Sequence, residues 1–141
     1  MLKVENLHKS YGKEKVLHGV NLHINSGEIV TIVGSSGSGK TTLLRLISGL
    51  EIPDSGKIVI KENEVNSSST FLSPEKRNCS LVFQDYALFP NMSMFDNIYF
   101  GRGSKENKEK VEDLINITNI ENILDKYPHE CSGGEQQRVA L

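Results

Sequence analysis

Short stretches near the N-terminus alternate between hydrophobic and polar side chains, the period-two pattern of a β-strand with one buried face. The alternation is clearest where Val20, Leu22 and Ile24 are separated by polar residues. Elsewhere, short runs rich in β-branched residues suggest strands that are buried on both faces. The predicted strands are residues 2–7, 16–24, 28–33, 57–60 and 78–84.

Hydrophobic residues with helical spacing follow in the rest of the chain. The first stripe comprises Leu43, Leu46, Ile47 and Leu50. A second stripe comprises Val111, Leu114, Ile115 and Thr118. Thr118-x-x-Glu121 has the form of a capping box, so it predicts the start of another helix, which Pro128 would end.

Composition is that of one soluble globular domain. The chain has 141 residues, of which 37% are hydrophobic and 24% charged, and its net charge is −2. That balance gives no electrostatic basis for binding nucleic acid, so we expect no nucleic-acid partner. No apolar run approaches the roughly 20 residues that span a bilayer. The two cysteines have no metal-binding spacing.

Residues 34–41 read Gly-Ser-Ser-Gly-Ser-Gly-Lys-Thr, which fits the phosphate-binding P-loop pattern G-x-x-x-x-G-K-[ST]. The motif lies between a predicted strand and a predicted helix, as a P-loop requires. Its glycines let backbone N–H groups converge on phosphate oxygens at a helix N-terminus. We expect Lys40 to reach the β- and γ-phosphates and the Thr41 hydroxyl to ligate Mg²⁺. A merely flexible Gly/Ser loop would explain the glycines but not Lys40 and Thr41.

A second glycine motif, Ser-Gly-Gly-Glu-Gln-Gln-Arg, occupies residues 132–138. Ser132 and Glu135 have the spacing of a capping box, so they predict the start of a helix. Gly133 and Gly134 each cost such a helix about 1 kcal/mol relative to alanine. Because a cap alone does not need them, we expect their bare N–H groups to meet an anion such as a phosphate.

A P-loop followed by this second motif resembles the nucleotide-binding subunit of an ABC transporter, and the resemblance spans the whole chain. It implies that Tyr11 stacks on adenine and that Gln84 approaches Mg²⁺ and the attacking water as a catalytic residue. The expected nucleotide-binding residues are Tyr11, Gly34, Ser35, Ser36, Gly37, Ser38, Gly39, Lys40, Thr41 and Thr42. The expected Mg²⁺ ligands are Thr41 and Gln84. The expected contacts to ATP on the other subunit of a dimer are Ser132, Gly133, Gly134 and Glu135.

The resemblance also implies the fold class, which is an α/β P-loop NTPase of the ABC ATPase type. Such a fold has N-terminal antiparallel strands, a parallel core sheet and a helical subdomain. We expect a partial nucleotide-binding domain over residues 1–141. Its expected divisions are a strand-rich ATP-binding core at 1–84, a helical subdomain at 85–131 and a signature helix at 132–141.

Several catalytic parts of this family follow the signature motif, beyond Leu141. They are an aspartate for Mg²⁺, a glutamate base and a switch histidine. We therefore expect this chain to be an N-terminal fragment, incomplete at its C-terminus. Phosphoryl transfer depends on positioning and charge stabilisation, so we expect it to bind nucleotide poorly and to hydrolyse it very slowly or not at all.

Residues 82–90 and 127–130 resemble importers of ferric iron, polyamines, sulfate and sugars. The function implied is ATP hydrolysis that energises import of a small solute, with ferric iron favoured weakly by residues 74–78. The partners implied are a second nucleotide-binding subunit in a homodimer and transmembrane permease subunits. The location implied is cytoplasmic, at the inner face of the cell membrane through the permease.

Two other functions stay open at this point. The chain could be a non-catalytic nucleotide-binding remnant or regulatory module, a reading that its early end supports. It could also be a soluble ABC ATPase of DNA repair or translation. The absence of a basic patch and of a long coiled-coil insertion between the two motifs counts against the second reading.

Overall fold

The computed structural model describes residues 1–100 and 108–141. The chain divides into two compact units, Met1–Leu81 and Val82–Leu141. The P-loop belongs to the first unit, whereas Gln84 and the second glycine motif belong to the second. Among the described residues, no helix combines the length and the apolar character needed to span a bilayer.

The first unit is built on a four-stranded antiparallel sheet. Its strands are β1 (Leu2–Tyr11), β2 (Glu14–Ile24), β3 (Ser55–Ile60) and β4 (Asn63–Asn66), in the order β2-β1-β3-β4. β1 is central, so that Leu2 pairs with Ile24 on one side and with Ile60 on the other. The period-two alternation is confirmed here, because Leu22 is half-buried between the exposed Asn21 and His23.

Helix α1 (Lys40–Ser48) covers the sheet. Leu43, Leu46 and Ile47 are buried on one side of the helix, as their spacing predicted. The sheet contributes Val4, Leu7, Leu17, Ile58 and Val65 to the same core. Leu50, the last member of the predicted stripe, is exposed, because Gly49 ends the helix in a left-handed conformation with φ of 82°.

Arg77 ties the far end of α1 to the segment that follows β4. Its guanidinium donates from Nη1 to the carbonyls of Leu46 and Ile47, at 2.8 and 3.0 Å, and from Nε to the carbonyl of Leu72 at 2.7 Å. The side chain is only 1% exposed, and burial lowers its pKa. A cation at the C-terminal end of a helix is favourable because the last carbonyls carry partial negative charge.

Two of the predicted strands are not found in the structure. Residues 28–33 and 78–84 form no strand within the part of the chain that the structure describes. Ile29 and Val33 are 98% and 88% exposed, although their sequence pattern indicates burial. A strand exists only where a neighbour takes up its backbone N–H and C=O groups. Neither segment has such a neighbour among the described residues, so β-propensity alone does not make it a strand.

The second unit consists of short helices around its own core. They are α2 (Met94–Tyr99), α3 (Lys108–Thr118) and α4 (Gly133–Ala140). That core contains Met94, Val111, Ile115, Ile120 and Ile123. The second predicted stripe is confirmed in part, since Val111 and Ile115 are buried but Leu114 is 54% exposed.

The predicted capping box at Thr118 is wrong. The Thr118 hydroxyl instead donates back to the carbonyl of Leu114 at 2.6 Å, inside the helix that it was expected to follow. The next element is only a 3₁₀ turn, Glu121–Ile123. Pro128 begins another 3₁₀ turn, Pro128–Glu130, rather than ending a helix. Proline suits a first helical position, because its missing N–H would have no partner there.

Candidate functional site

The P-loop backbone adopts conformations that require glycine at two positions. Gly37 and Gly39 have φ of 81° and 87°, in the region that residues with a side chain rarely adopt. A Cβ on Gly39 would also lie 2.9 Å from Leu17 Cδ2 and 3.0 Å from Val16 Cγ1. The loop thus packs against β2 so closely that only glycine fits immediately before α1.

The N-terminus of α1 is open. Gly39 provides no side-chain cap, and the first turn contains no acidic residue. The first N–H groups of a helix have no partners within the helix, and they carry partial positive charge. Glycine loop and helix therefore present unsatisfied donors together, which is the arrangement that binds phosphate groups.

Lys40 folds back over this loop. Its Nζ donates to the carbonyl oxygens of Gly34 and Ser35, at 2.8 and 2.7 Å, and to Ser38 Oγ at 3.3 Å. All three acceptors are uncharged, so the ammonium is held above the loop without a carboxylate partner among the contacts described. Because a phosphate oxygen is a stronger acceptor than a neutral carbonyl, the position of Lys40 suits binding of an anion at this loop.

The remaining loop residues line the same turn. Ser35 and Ser38 are joined by a backbone hydrogen bond of 3.2 Å, and a Cβ on Gly34 would lie 2.7 Å from Ser38 Oγ. Ser36 is exposed and Thr42 is half-buried. The loop is thus a tight turn directly before α1.

The donor set also fits Mg²⁺ at one position. Thr41 is exposed in the open first turn of α1, and Mg²⁺ prefers hard oxygen ligands together with phosphate oxygens. The hydroxyl of Thr41 would hold the ion, which would neutralise phosphate charge. Gln84 is exposed as well, but it belongs to the other unit. Its approach to the ion stays a prediction.

Tyr11 ends β1 in the same unit as the P-loop, and its side chain is 47% exposed. The hydroxyl donates to Glu51 Oε2 at 2.6 Å. Burial, followed by this hydrogen bond, raises the pKa of Tyr11, while the Thr42 hydroxyl has a smaller opposing effect. The structure therefore brings the Tyr11 hydroxyl close to the first turn of α1, where the sequence placed the nucleotide.

The second glycine motif forms a complete capping box, as predicted. Ser132 Oγ accepts from Glu135 N at 3.3 Å, and Glu135 Oε2 accepts from Ser132 N at 2.7 Å. The Ser132 hydroxyl also donates to Glu135 Oε2 at 2.7 Å, and this hydrogen bond, followed by the one from Ser132 N, lowers the pKa of Glu135. The motif begins α4, which is the signature helix of the sequence analysis.

Gly133 and Gly134 differ from the P-loop glycines, because the local fold does not require them. Neither has a positive φ. A Cβ would meet Tyr86 Oη at 3.5 Å in the first case and Arg138 Nη1 at 3.7 Å in the second, which are ordinary contacts. Both residues are exposed, so a ligand can approach their backbone closely. This observation supports the anion-binding interpretation of the motif.

Sequence reasoning missed Lys9, Glu51 and Arg77. The only signal for Lys9 is its position two residues before Tyr11, which puts both on one face of β1. No sequence motif or spacing marks Glu51 or Arg77. Each becomes visible only when the chain brings it to a partner at least 30 residues away.

Comparison with known proteins agrees with these motifs. Residues 17–141 match the sequence profile of the family described as ABC transporter. The chain is similar to the sulfate/thiosulfate import ATP-binding protein CysA of Pectobacterium atrosepticum, with 44% identity over 99% of this chain and 44% of that protein. It is also similar to the spermidine/putrescine import ATP-binding protein PotA of Marinobacter nauticus, with 43% identity over 100% of this chain and 38% of that protein. The chain therefore spans less than half the length of these relatives.

A solved structure confirms the fold class. The ATP-binding cassette MJ0796, in a dimeric post-hydrolysis state bound to ADP and Pi, matches with a TM-score of 0.81 and 32% identity. The match covers 99% of this chain and 67% of that one. The expected resemblance to import ATP-binding subunits is likewise confirmed, and this chain belongs to the ABC transporter family.

Proposed function

We propose that this chain carries the ATP-binding half of a site that powers solute import. The observation that carries the proposal is the P-loop itself. Its uncapped helix N-terminus and the Lys40 ammonium, which only neutral acceptors hold in the described contacts, form a cradle for phosphates. Tyr11 in the same unit supplies an aromatic ring for the base. Mg²⁺ bound through Thr41 would neutralise the phosphate charge.

The second glycine motif supports a site completed by another subunit. Gly133 and Gly134 expose N–H groups that the local fold leaves free, at the N-terminus of a helix. We propose that in a homodimer this motif contacts ATP on the opposite subunit and that Gln84 orients the attacking water. Hydrolysis then belongs to the longer protein, whose permease partner and inner-membrane location are part of the same proposal.

The proposal specifies the cargo only as a small solute. Relatives named for sulfate and for polyamine import are 44% and 43% identical to this chain, so identity does not separate them. Ferric iron, which residues 74–78 favoured, stays one prediction among these. ATP-binding subunits receive nucleotide rather than cargo, so their sequences carry little information about the solute.

NMR titration of the 141-residue chain with ATP tests the binding proposal, because it measures weak affinities as well as tight ones. We expect saturable shifts at residues 34–42, and tighter binding when Mg²⁺ is present. Thr41→Val should remove the Mg²⁺ effect while leaving binding of ATP alone nearly unchanged. ATP that shifts no P-loop resonance, with or without Mg²⁺, would overturn the proposal.

Light scattering of the longer protein tests the role of the second motif. ATP should promote a dimer in the unmodified protein, and Ser132→Ala should weaken that dimer while sparing nucleotide binding by the monomer. A dimer unchanged by Ser132→Ala would count against the contact to the opposite subunit. The outcome also separates the importer proposal from a regulatory module, which would bind ATP without dimerising.

A further inference from the structure

The Tyr11 side chain is held at its hydroxyl group, while about half of the residue is exposed. Its hydroxyl donates to Glu51 Oε2 at 2.6 Å, which is the length of a strong hydrogen bond to a charged acceptor. Nearly half of the side chain nevertheless remains exposed, at 47%. An aromatic ring held in this way keeps one orientation while its surface stays available to a ligand.

Glu51 uses its second oxygen to hold Lys9. Glu51 Oε1 lies 3.3 Å from Lys9 Nζ, and the two side chains are only 18% and 14% exposed. Lys9 Nζ also donates to the carbonyl of Ile52 at 2.7 Å and lies 5.2 Å from the centroid of the Tyr11 ring. One carboxylate therefore fixes both the hydroxyl of the ring and the cation above its face.

The position of Glu51 in the chain links this cluster to the P-loop. Glu51 follows α1, and α1 begins with Lys40. Tyr11 lies at the end of β1, 40 residues earlier in the sequence. The hydrogen bond thus connects the aromatic ring to the segment that directly follows the P-loop helix, and it can fix the position of the ring relative to that helix.

We propose that Glu51 is a positioning residue for the nucleotide base, which acts by holding the Tyr11 hydroxyl so that the ring is pre-oriented for stacking. The proposal rests on the proposed function, in which Tyr11 meets the base. Fixing a ring in its bound orientation reduces the ordering cost of binding, and so favours ligands that have a base. Lys9 lies over one face of the ring, so the base would stack on the other.

The test compares ATP with inorganic tripolyphosphate, which has the phosphates but no base. We expect Glu51→Ala to weaken ATP binding about fivefold, a part of what one base–aromatic stack contributes. Binding of tripolyphosphate should change by less than about twofold, because it uses the P-loop alone. Glu62→Ala is the matched control, since Glu62 is an exposed glutamate of the same unit outside the cluster.

A double-mutant cycle identifies the group through which Glu51 acts. Tyr11→Phe keeps the ring and removes the hydroxyl, so it should weaken ATP binding to a similar extent. The Glu51→Ala, Tyr11→Phe double variant should then be no weaker than the weaker single variant. Glu51→Gln keeps a carbonyl acceptor for Tyr11, and it should retain most of the preference for ATP over tripolyphosphate.

Three results would overturn the proposal. Equal losses for ATP and tripolyphosphate in Glu51→Ala would show a general structural role, and unchanged ATP binding would show no role. A loss in Glu51→Gln as large as in Glu51→Ala would assign the effect to the ion pair with Lys9. Failure of the proposed function has a different signature, since neither Lys40→Ala nor Tyr11→Ala would then affect ATP binding.

Discussion

Two helices of this protein begin at glycine motifs, but only one of them has a side-chain cap at its N-terminus. Helix α1 starts at Gly39 with no side-chain cap and no acidic residue, and its N–H groups are left for a ligand. Helix α4 starts at Ser132 with a complete capping box, in which Glu135 brings a carboxylate to the helix N-terminus. The first helix N-terminus carries no anion of its own, whereas the second already contains one in Glu135.

The difference explains how two phosphate motifs can have unequal roles. At α1 the cation Lys40 adds to the positive end of the helix, so a single chain can attract phosphate there. At α4 the negative charge of Glu135 offsets that attraction, and the N–H groups of Gly133 and Gly134 have no partner among the hydrogen bonds of the described residues. We infer that the second motif contributes when ATP is already held elsewhere, as a site shared between two subunits requires.

The largest expected effect is on ATP affinity and comes from a change in the P-loop. Lys40→Ala removes the only lysine contact to the loop among the described residues, and we expect ATP affinity to fall about 100-fold, or about 2.7 kcal/mol. NMR titration should then show no saturable shifts. Lys15→Ala, an exposed lysine of β2, is the control and should bind normally. Affinity within a few-fold of the original would show that Lys40 has no phosphate role.

The next effect concerns how α1 is held without an N-terminal cap. Arg77→Met removes three hydrogen bonds to buried carbonyls, two of them at the C-terminal end of α1, so we expect a loss of about 2 kcal/mol in the free energy of unfolding. Denaturant unfolding followed by circular dichroism measures it. Arg77→Lys, which keeps the charge but not the forked donors, should lose less. Equal stability of all three proteins would contradict this account of α1.

A smaller effect is expected at the capped motif. Ser132→Ala removes the acceptor for Glu135 N, and the loss of one cap costs about 1 kcal/mol of local helix stability. Hydrogen exchange in residues 133–140 should accelerate, while exchange in α1 and binding of ATP by the chain stay unchanged. Ser132→Thr retains a capping hydroxyl and should restore protection. Faster exchange in α1 as well would mean that the two motifs are not independent.

The smallest effect is the pH dependence of that cap. Its hydrogen bonds with Ser132 lower the pKa of Glu135 below the ordinary value of 4.5, so the charged form stabilises the folded helix. This stabilisation is complete above the ordinary value and is lost as the pH falls through the lowered pKa. Carbon chemical shifts of residues 133–140 should report fraying of α4 in that acid range. Glu135→Gln should lack the transition, and an identical profile in both proteins would assign it to other groups.

The sequence was sufficient for the parts of the site that lie within a few consecutive residues. The Ser132–Glu135 cap and the positive φ of Gly39 depend on spacing along the chain, and both are found as predicted. Lys40 lies over the loop, and its contact with phosphate stays a prediction. The strands β1, β2 and β3 and the buried side of α1 were also predictable, because one-sided burial leaves a periodic pattern of apolar residues. The Thr118 cap failed because a local hydrogen bond to Leu114 competed with it.

Tertiary structure alone decided the rest. Residues 28–33 are rich in β-branched residues, yet Ile29 is 98% exposed, because pairing is a property of two segments and one sequence window contains only one of them. Glu51 and Arg77 likewise gain their roles from partners far away in the chain. Glu51 accepts a hydrogen bond from Tyr11, and Arg77 donates one to the carbonyl of Leu46. The sequence by itself identified the two glycine motifs that we propose contact phosphate. The fold determined which side chains hold the Tyr11 ring and the P-loop helix in place, because those contacts exist only between segments that folding brings together.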